Sequence, residues 1–174
     1  MRGKISRILL SESDIEAKVK ELGAQITQDY KDKDLLCICL LKGSMLFLSD
    51  LIRRIDMPLQ VDVMRASSYG ESTVSSGSVK ILQDLDADIS GKHVLMIEDI
   101  VDTGRTLAKT LDLLRFRQPQ SLKICALLDK PSRREVPIPI DYRGFEIENH
   151  FVVGYGLDFD EYYRNLPYVG ILEL

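Results

Sequence analysis

Residues 94–106 read Val94-Leu-Met-Ile-Glu-Asp-Ile-Val-Asp-Thr-Gly-Arg-Thr106, and this stretch decides the fold. Val94 to Ile97 form an apolar run of the length expected for a strand buried on both faces. Two adjacent acids, Glu98 and Asp99, follow it, and a third, Asp102, precedes Thr103, Gly104, Arg105 and Thr106. Leu107, Leu111 and Leu114 then recur at helical spacing. Residues 102–106 are therefore expected at a strand-to-helix turn. Backbone N–H groups left unpaired at the helix start, together with the positive end of its dipole, make such a turn an anion site. Gly104 lets backbone approach a phosphate, and Thr103 and Thr106 add hydroxyl donors.

Acids beside a phosphate cradle are consistent only with a ligand that also brings hydroxyls, a cation or developing positive charge. Ribose hydroxyls donate to carboxylates, magnesium takes oxygen ligands, and glycosyl transfer passes through an oxocarbenium-like state. A pyrophosphate-activated sugar phosphate bound with magnesium meets all three conditions. A merely solvated, acid-rich turn accounts less well for three acids and two threonines around one phosphate-sized loop.

Working outward, strand and helix patterns alternate, which predicts an α/β fold with a mostly parallel sheet. Ser11-x-x-Asp14 and Ser13-x-x-Glu16 offer capping boxes in two registers, and Ile15, Val19, Leu22 and Ile26 line one helix face. Leu35–Leu41 reads as a buried strand, followed by a short helix over Met45–Arg54 that closes before Pro58. Gln60–Met64 alternates as a strand. Residues 66–78 are rich in Ser, Gly and Thr and read as a long loop. Strands are expected from Ile81 and over Ser121–Leu128, before a proline-punctuated tail carrying hairpin pieces.

The composition is that of one soluble globular domain: 174 residues, 45% hydrophobic and 29% charged. A net charge of −4 argues against a general nucleic-acid binder. Cys37, Cys39 and Cys125 all lie in apolar runs, so they read as packing thiols of a reducing compartment. His93 and His150 are the only histidines, and no zinc spacing occurs. Without a long apolar N-terminal stretch, a cytoplasmic chain with no membrane association is expected.

Residues 94–106 resemble the phosphoribosyl-pyrophosphate signature of the type I phosphoribosyltransferases. Matching segments at Leu41–Ser44, Ser67–Gly70, Leu128–Lys130 and Phe151–Arg164 extend the resemblance over nearly the whole chain, toward the hypoxanthine-specific branch. The resemblance implies a single domain over residues 1–174: a mostly parallel central sheet flanked by helices, with a small hood formed by terminal segments. It also implies a flexible loop at about residues 66–78. Transfer to hypoxanthine and guanine is implied, with Mg2+ as cofactor, phosphoribosyl pyrophosphate and a 6-oxopurine base as substrates, and a homodimer or homotetramer as the assembly.

Residue by residue, the resemblance makes Asp102 the general base, while Glu98, Asp99, Asp102, Thr103, Gly104, Arg105 and Thr106 hold phosphoribosyl pyrophosphate. Arg105 stands where the family tolerates different side chains, so its backbone N–H is the implied contact. Leu41, Lys42 and Gly43, with a cis peptide at Leu41–Lys42, would meet pyrophosphate together with Ser68, Tyr69 and Arg164. Lys130, Phe151, Val152 and Asp158 would bind the purine, Lys130 donating to the exocyclic oxygen that adenine lacks. Glu98, Asp99 and Asp158 are the implied metal ligands.

Two readings compete. A regulator on the same fold, sensing phosphoribosyl pyrophosphate and binding nucleic acid, needs a basic surface, for which the chain offers short clusters such as Arg53-Arg54 and Arg133-Arg134. A phospho-acceptor or nucleotide-hydrolysing α/β domain also carries acidic pockets at strand ends, but no Gly-x-x-x-x-Gly-Lys-Ser/Thr loop exists, which counts against a P-loop hydrolase.

Overall fold

The computed structural model describes residues 3–68 and 79–173. In chain order the elements are β1 (Lys4–Leu10), α1 (Glu12–Asp29), β2 (Leu35–Leu40), α2 (Met45–Ile52), β3 (Gln60–Ser68), β4 (Val79–Gln83), β5 (His93–Val101), α3 (Arg105–Phe116), β6 (Ser121–Asp129), β7 (Tyr142–Glu146), β8 (Val152–Val153) and β9 (Val169–Glu173). A single 3-10 turn, Pro131–Arg133, follows β6.

The quoted run forms the middle of a six-stranded sheet ordered β4-β3-β2-β5-β6-β7. β3, β2, β5, β6 and β7 run parallel, and β4 closes one edge antiparallel to β3. Side chains alternate faces along each strand. Cys37, Cys39, Leu95, Ile97 and Cys125 pack with Ile15, Val19, Leu22 and Ile26 of α1 and with Phe47 and Leu51 of α2. Leu36, Ile38, Val94, Met96 and Ile124 face the other way, onto Leu107, Leu111 and Leu114 of α3. β5 is thus covered on both sides, which is why its sequence is a continuous apolar run. Burial pushes the Cys37 and Cys39 thiols up to about 12, so both are protonated packing groups.

Of the two capping registers, the first forms: Ser11 Oγ accepts from the Asp14 N–H at 3.1 Å, and Asp14 Oδ2 accepts from the Ser11 N–H at 2.9 Å. β5 also runs further than its apolar core. Glu98 and Asp99 lie inside the strand because its ladder with β6 continues through Glu98↔Ala126 to Val101↔Asp129. Ala66–Ser68, read from composition as loop, continue β3 and pair with β4, which begins at Val79 rather than Ile81. Ser and Ala carry little β preference, so this extension is a tertiary effect. The remainder of that loop reading, 69–78, and with it Tyr69, lies outside the described residues.

The hood is a separate three-stranded antiparallel sheet, β1-β9-β8. Lys4 pairs with Glu173 and Leu10 with Val169, which ties the two ends of the chain together. β1 escapes a sequence reading because most of its residues are solvent-exposed and its partner strand among the described residues lies at the opposite end of the chain. Among the described residues, no helix is long and apolar enough to cross a membrane.

Candidate active site

β3 extends from β2 toward one edge of the sheet, and β5, β6 and β7 extend toward the other, so strand order reverses between β2 and β5. Open parallel sheets bind ligands in the crevice outside the carboxyl ends of strands at such a reversal. Here the β2 exit supplies residues 41–44, the β5 exit residues 102–104, and the β6 exit Lys130.

At the β2 exit the Leu41–Lys42 peptide is cis. A Cβ on Gly43 would overlap the Asp99 carboxylate, so glycine lets the β2 exit loop meet that side chain in its present position. Ser44, buried, accepts from the Asp99 N–H through its Oγ at 3.2 Å. Asp99 itself is half-buried, and Oδ1 accepts from the Ile100 N–H at 2.8 Å. Glu98 is buried, and its Oε1 has no hydrogen-bond partner among the described residues. Burial, reinforced by the neighbouring Asp99 charge, raises the Glu98 carboxyl well above the usual carboxylate range. Burial also pushes Asp99 up to about 6, against backbone hydrogen bonding and the Arg164 charge, which lower it.

At the β5 exit Gly104 has φ +83° and immediately precedes α3. Its lack of a side chain serves the protein as much as any ligand. A Cβ there would lie 2.9 Å from both Ile138 Cγ1 and the Val136 carbonyl oxygen. The segment after β6 is clasped onto this turn. Thr103 O accepts from the N–H groups of Glu135 at 3.0 Å and Val136 at 3.1 Å. Arg134 donates from Nε to Asp102 O at 2.9 Å and from Nη2 to Val101 O at 3.2 Å. Arg134 is held in turn by buried Asp129, which also pairs with Arg143 Nε at 2.9 Å. With its carbonyls tied back on the protein side, the turn presents the N–H groups of the first turn of α3 as donors. The Arg105 side chain pairs with Glu135.

Lys130, only 6% exposed, donates from Nζ to the His150 carbonyl at 2.8 Å and lies 4.0 Å from Asp102 Oδ2. Burial lowers its ammonium, and the Asp102 charge opposes that shift. Arg133 Nε approaches Asp102 Oδ1 at 3.4 Å. Next to His150, Phe151 is 48% exposed and meets Phe159 edge-on, with ring centroids 5.7 Å apart. Val152 is buried in β8.

The loop after β8 closes the site. Arg164 donates from Nη1 to Gly156 O at 2.7 Å and pairs through Nη2 with Asp158 Oδ1 at 3.0 Å. Its Nε is buried without a partner among the described residues. Asp158 Oδ2 accepts from the Glu161 N–H at 2.9 Å. Glu161 then pairs with Lys42 Nζ at 2.6 Å, and this ammonium is the main influence holding its carboxyl below the usual range.

The site residues read from the sequence thus fall into contiguous groups. Asp102 sits with Lys130, Gly43 with Asp99, and Arg164 with Asp158, while Ser68 ends β3. Arg134, Asp129, Ser44 and Glu161 join them without having been singled out in that role. Arg134 was legible only as half of a basic pair and Ser44 only as the end of the Leu41–Ser44 segment, and nothing in the local pattern assigns Asp129 or Glu161 such a role.

Comparison with known proteins completes the picture. The phosphoribosyl transferase domain family matches residues 7–160. A hypoxanthine-guanine phosphoribosyltransferase of Bacillus subtilis (strain 168) is 53% identical over 99% of this chain and 96% of its own length. The bifunctional protein TilS/HprT of Listeria innocua is 50% identical over 99% of the chain, which spans 27% of that longer protein. A crystal structure of a hypoxanthine phosphoribosyltransferase from Staphylococcus aureus superposes with a TM-score of 0.94 at 52% identity, covering 97% of this chain and 92% of the other. With the crevice, the strand-to-helix turn and these likenesses in agreement, the chain belongs to the phosphoribosyl transferase family, in its hypoxanthine-guanine branch.

Proposed function

We propose that this crevice transfers the 5-phosphoribosyl group from phosphoribosyl pyrophosphate to hypoxanthine and guanine, giving IMP or GMP and pyrophosphate. The observation that carries it is the convergence of Asp102, in the turn before α3, with Lys130, which is held on the carbonyl of His150, the residue before the exposed Phe151. The bond between the sugar carbon and pyrophosphate breaks as a purine ring nitrogen bonds to that carbon. Asp102 takes the proton released from the nitrogen. Lys130 donates to the 6-oxo group, Phe151 stacks on the base, and the backbone of Val152 and the Asp158 loop bound its far edge. Thr103, Gly104, Arg105 and Thr106 receive the 5′-phosphate, and Glu98 and Asp99 face the ribose hydroxyls. Lys42, Gly43 and Arg164 take the pyrophosphate, together with Ser68 and Tyr69. The comparisons give no support to the regulator reading. The three cysteines are free and buried, which fits a cytoplasmic, reducing compartment.

The residues fit a magnesium ion shared with the substrate. Among the described residues no cluster of three His, Cys, Asp or Glu forms a complete metal cage. Magnesium commonly uses one or two carboxylates and completes its shell with water and substrate oxygens. The Glu98 oxygen is unpartnered among the described residues, and burial raises the adjacent Asp99 despite the opposing Arg164 charge. Glu98 and Asp99 would hold the ion, with Asp158 near by, and the ion would neutralise charge on the leaving pyrophosphate.

A pH dependence follows. A carboxyl whose folded value is raised favours the folded chain when protonated, and that advantage is lost as pH rises through about 6. Cation binding requires the ionised form and releases the proton. Mg2+ with phosphoribosyl pyrophosphate should therefore raise the melting temperature more at pH 7.5 than at pH 5, and Asp99→Asn should flatten that difference. An equal increment at both pH values in the unsubstituted chain would remove Asp99 from the metal site.

The function is tested by a spectrophotometric assay with phosphoribosyl pyrophosphate, Mg2+ and each of hypoxanthine, guanine, xanthine and adenine. Turnover with hypoxanthine and guanine but not adenine is expected. Failure with every base while phosphoribosyl pyrophosphate still binds would overturn the assignment.

A further inference from the structure

Glu161 stands between the two cations assigned to pyrophosphate. Its Oε2 lies 2.6 Å from Lys42 Nζ and its Oε1 lies 3.4 Å from Arg164 Nη2. One carboxylate thus gives one oxygen to each cation, as two oxygens of a phosphoryl group would, sharing Arg164 Nη2 with Asp158 Oδ1 at 3.0 Å. The residue is set there by backbone, since Asp160, Glu161 and Tyr163 all adopt positive φ in a turn closed by a Phe159↔Tyr162 bridge. The Glu161 N–H on Asp158 Oδ2 anchors the same turn. The side chain itself is 63% exposed, so it can swing into water without disturbing packing. Arg164 has more to offer than Glu161 takes, because its buried Nε remains unpaired among the described residues. A pyrophosphate, with more oxygens and more charge, can engage that donor as well as both cations.

We infer that Glu161 is a built-in competitor for the pyrophosphate subsite: it occupies Lys42 and Arg164 in the free protein, yields them to the substrate, and recaptures them as pyrophosphate leaves. The inference rests on the proposed pyrophosphate role of Lys42 and Arg164. Glu161 is an affinity-setting residue rather than a catalytic one, since it must vacate the site before chemistry. It keeps both cations oriented toward the crevice while weakening product retention.

The test is the dissociation constant of inorganic pyrophosphate, measured by calorimetry with Mg2+ on the full chain, for the unsubstituted protein and for Glu161→Gln, Glu161→Ala and Arg164→Gln. Exposed ion pairs are weak, so removing the carboxylate should tighten pyrophosphate binding roughly two- to fivefold. KM for phosphoribosyl pyrophosphate should fall in parallel, with KM for hypoxanthine and the melting temperature unchanged. Salt should shrink the difference, because the displaced pair is exposed. Unchanged or weaker pyrophosphate binding in both Glu161 variants would overturn the inference. Arg164→Gln separates the two claims. If it loses pyrophosphate while the Glu161 variants do not gain, only the competitor role fails; if it retains full affinity, the subsite assignment itself is wrong.

Discussion

Asp102→Asn is expected to lower kcat by roughly two to four orders of magnitude, the usual worth of a positioned general base. Asparagine matches aspartate in shape, so the turn should hold. Its backbone carbonyl stays on Arg134 Nε, and the neighbouring Thr103 carbonyl stays on the N–H groups of Glu135 and Val136. What is lost is an acceptor for the purine proton, together with the negative charge 4.0 Å from Lys130 and 3.4 Å from Arg133. KM for both substrates should therefore move far less than kcat. Steady-state kinetics in both substrates, with calorimetric binding of phosphoribosyl pyrophosphate, reads the split. Turnover within threefold of the unsubstituted chain would take the proton-accepting role away from Asp102.

The second large effect is on stability. Asp129, 1% exposed at the end of β6, is the shared anion of Arg134 and Arg143. Arg134 and Arg143 are 17% and 49% exposed, so water takes up part of the loss, and removing these charge-assisted hydrogen bonds costs about 1.5–3 kcal/mol. For a chain of this length that corresponds to a drop in melting temperature of roughly 3–12 °C. Asp129→Ala should show it by calorimetry, with Asp129→Asn in between because the amide retains one acceptor. A functional consequence should accompany it. Arg134 ties back the Val101 and Asp102 carbonyls, so KM for phosphoribosyl pyrophosphate should rise in Asp129→Ala at temperatures where the variant remains folded. A melting shift below about 3 °C would mean that Arg134 and Arg143 find other partners, and would remove Asp129 from the scaffold of the phosphate turn.

How much could be read in advance varies with the kind of signal. The buried strand at Val94–Ile97, the α1 and α3 faces, and the strand-to-helix turn at residues 102–106 were legible because period and local chemistry are properties of neighbouring residues. The shared face of Cys37 and Cys39 followed from alternation alone. The extension of β5 through Glu98 and Asp99 was not legible, since two acids normally end a strand and only pairing with β6 overrides that preference. The same holds for Ala66–Ser68, drawn into β3 by β4, and for β1, whose partner lies at the other end of the chain.

By itself the sequence determined the α/β class, the strand-to-helix turn at residues 102–106 and the set of polar residues around it. Each of these follows from residue type and short-range spacing. The tertiary structure alone decided which residues meet. It seated Gly43 against Asp99, buried Lys130 beside Asp102, clasped Arg134 onto the carbonyls behind the turn, and set Glu161 between Lys42 and Arg164. These contacts join loops separated by up to 119 positions. Local pattern carries no information about such distances; the order in which parallel strands associate does.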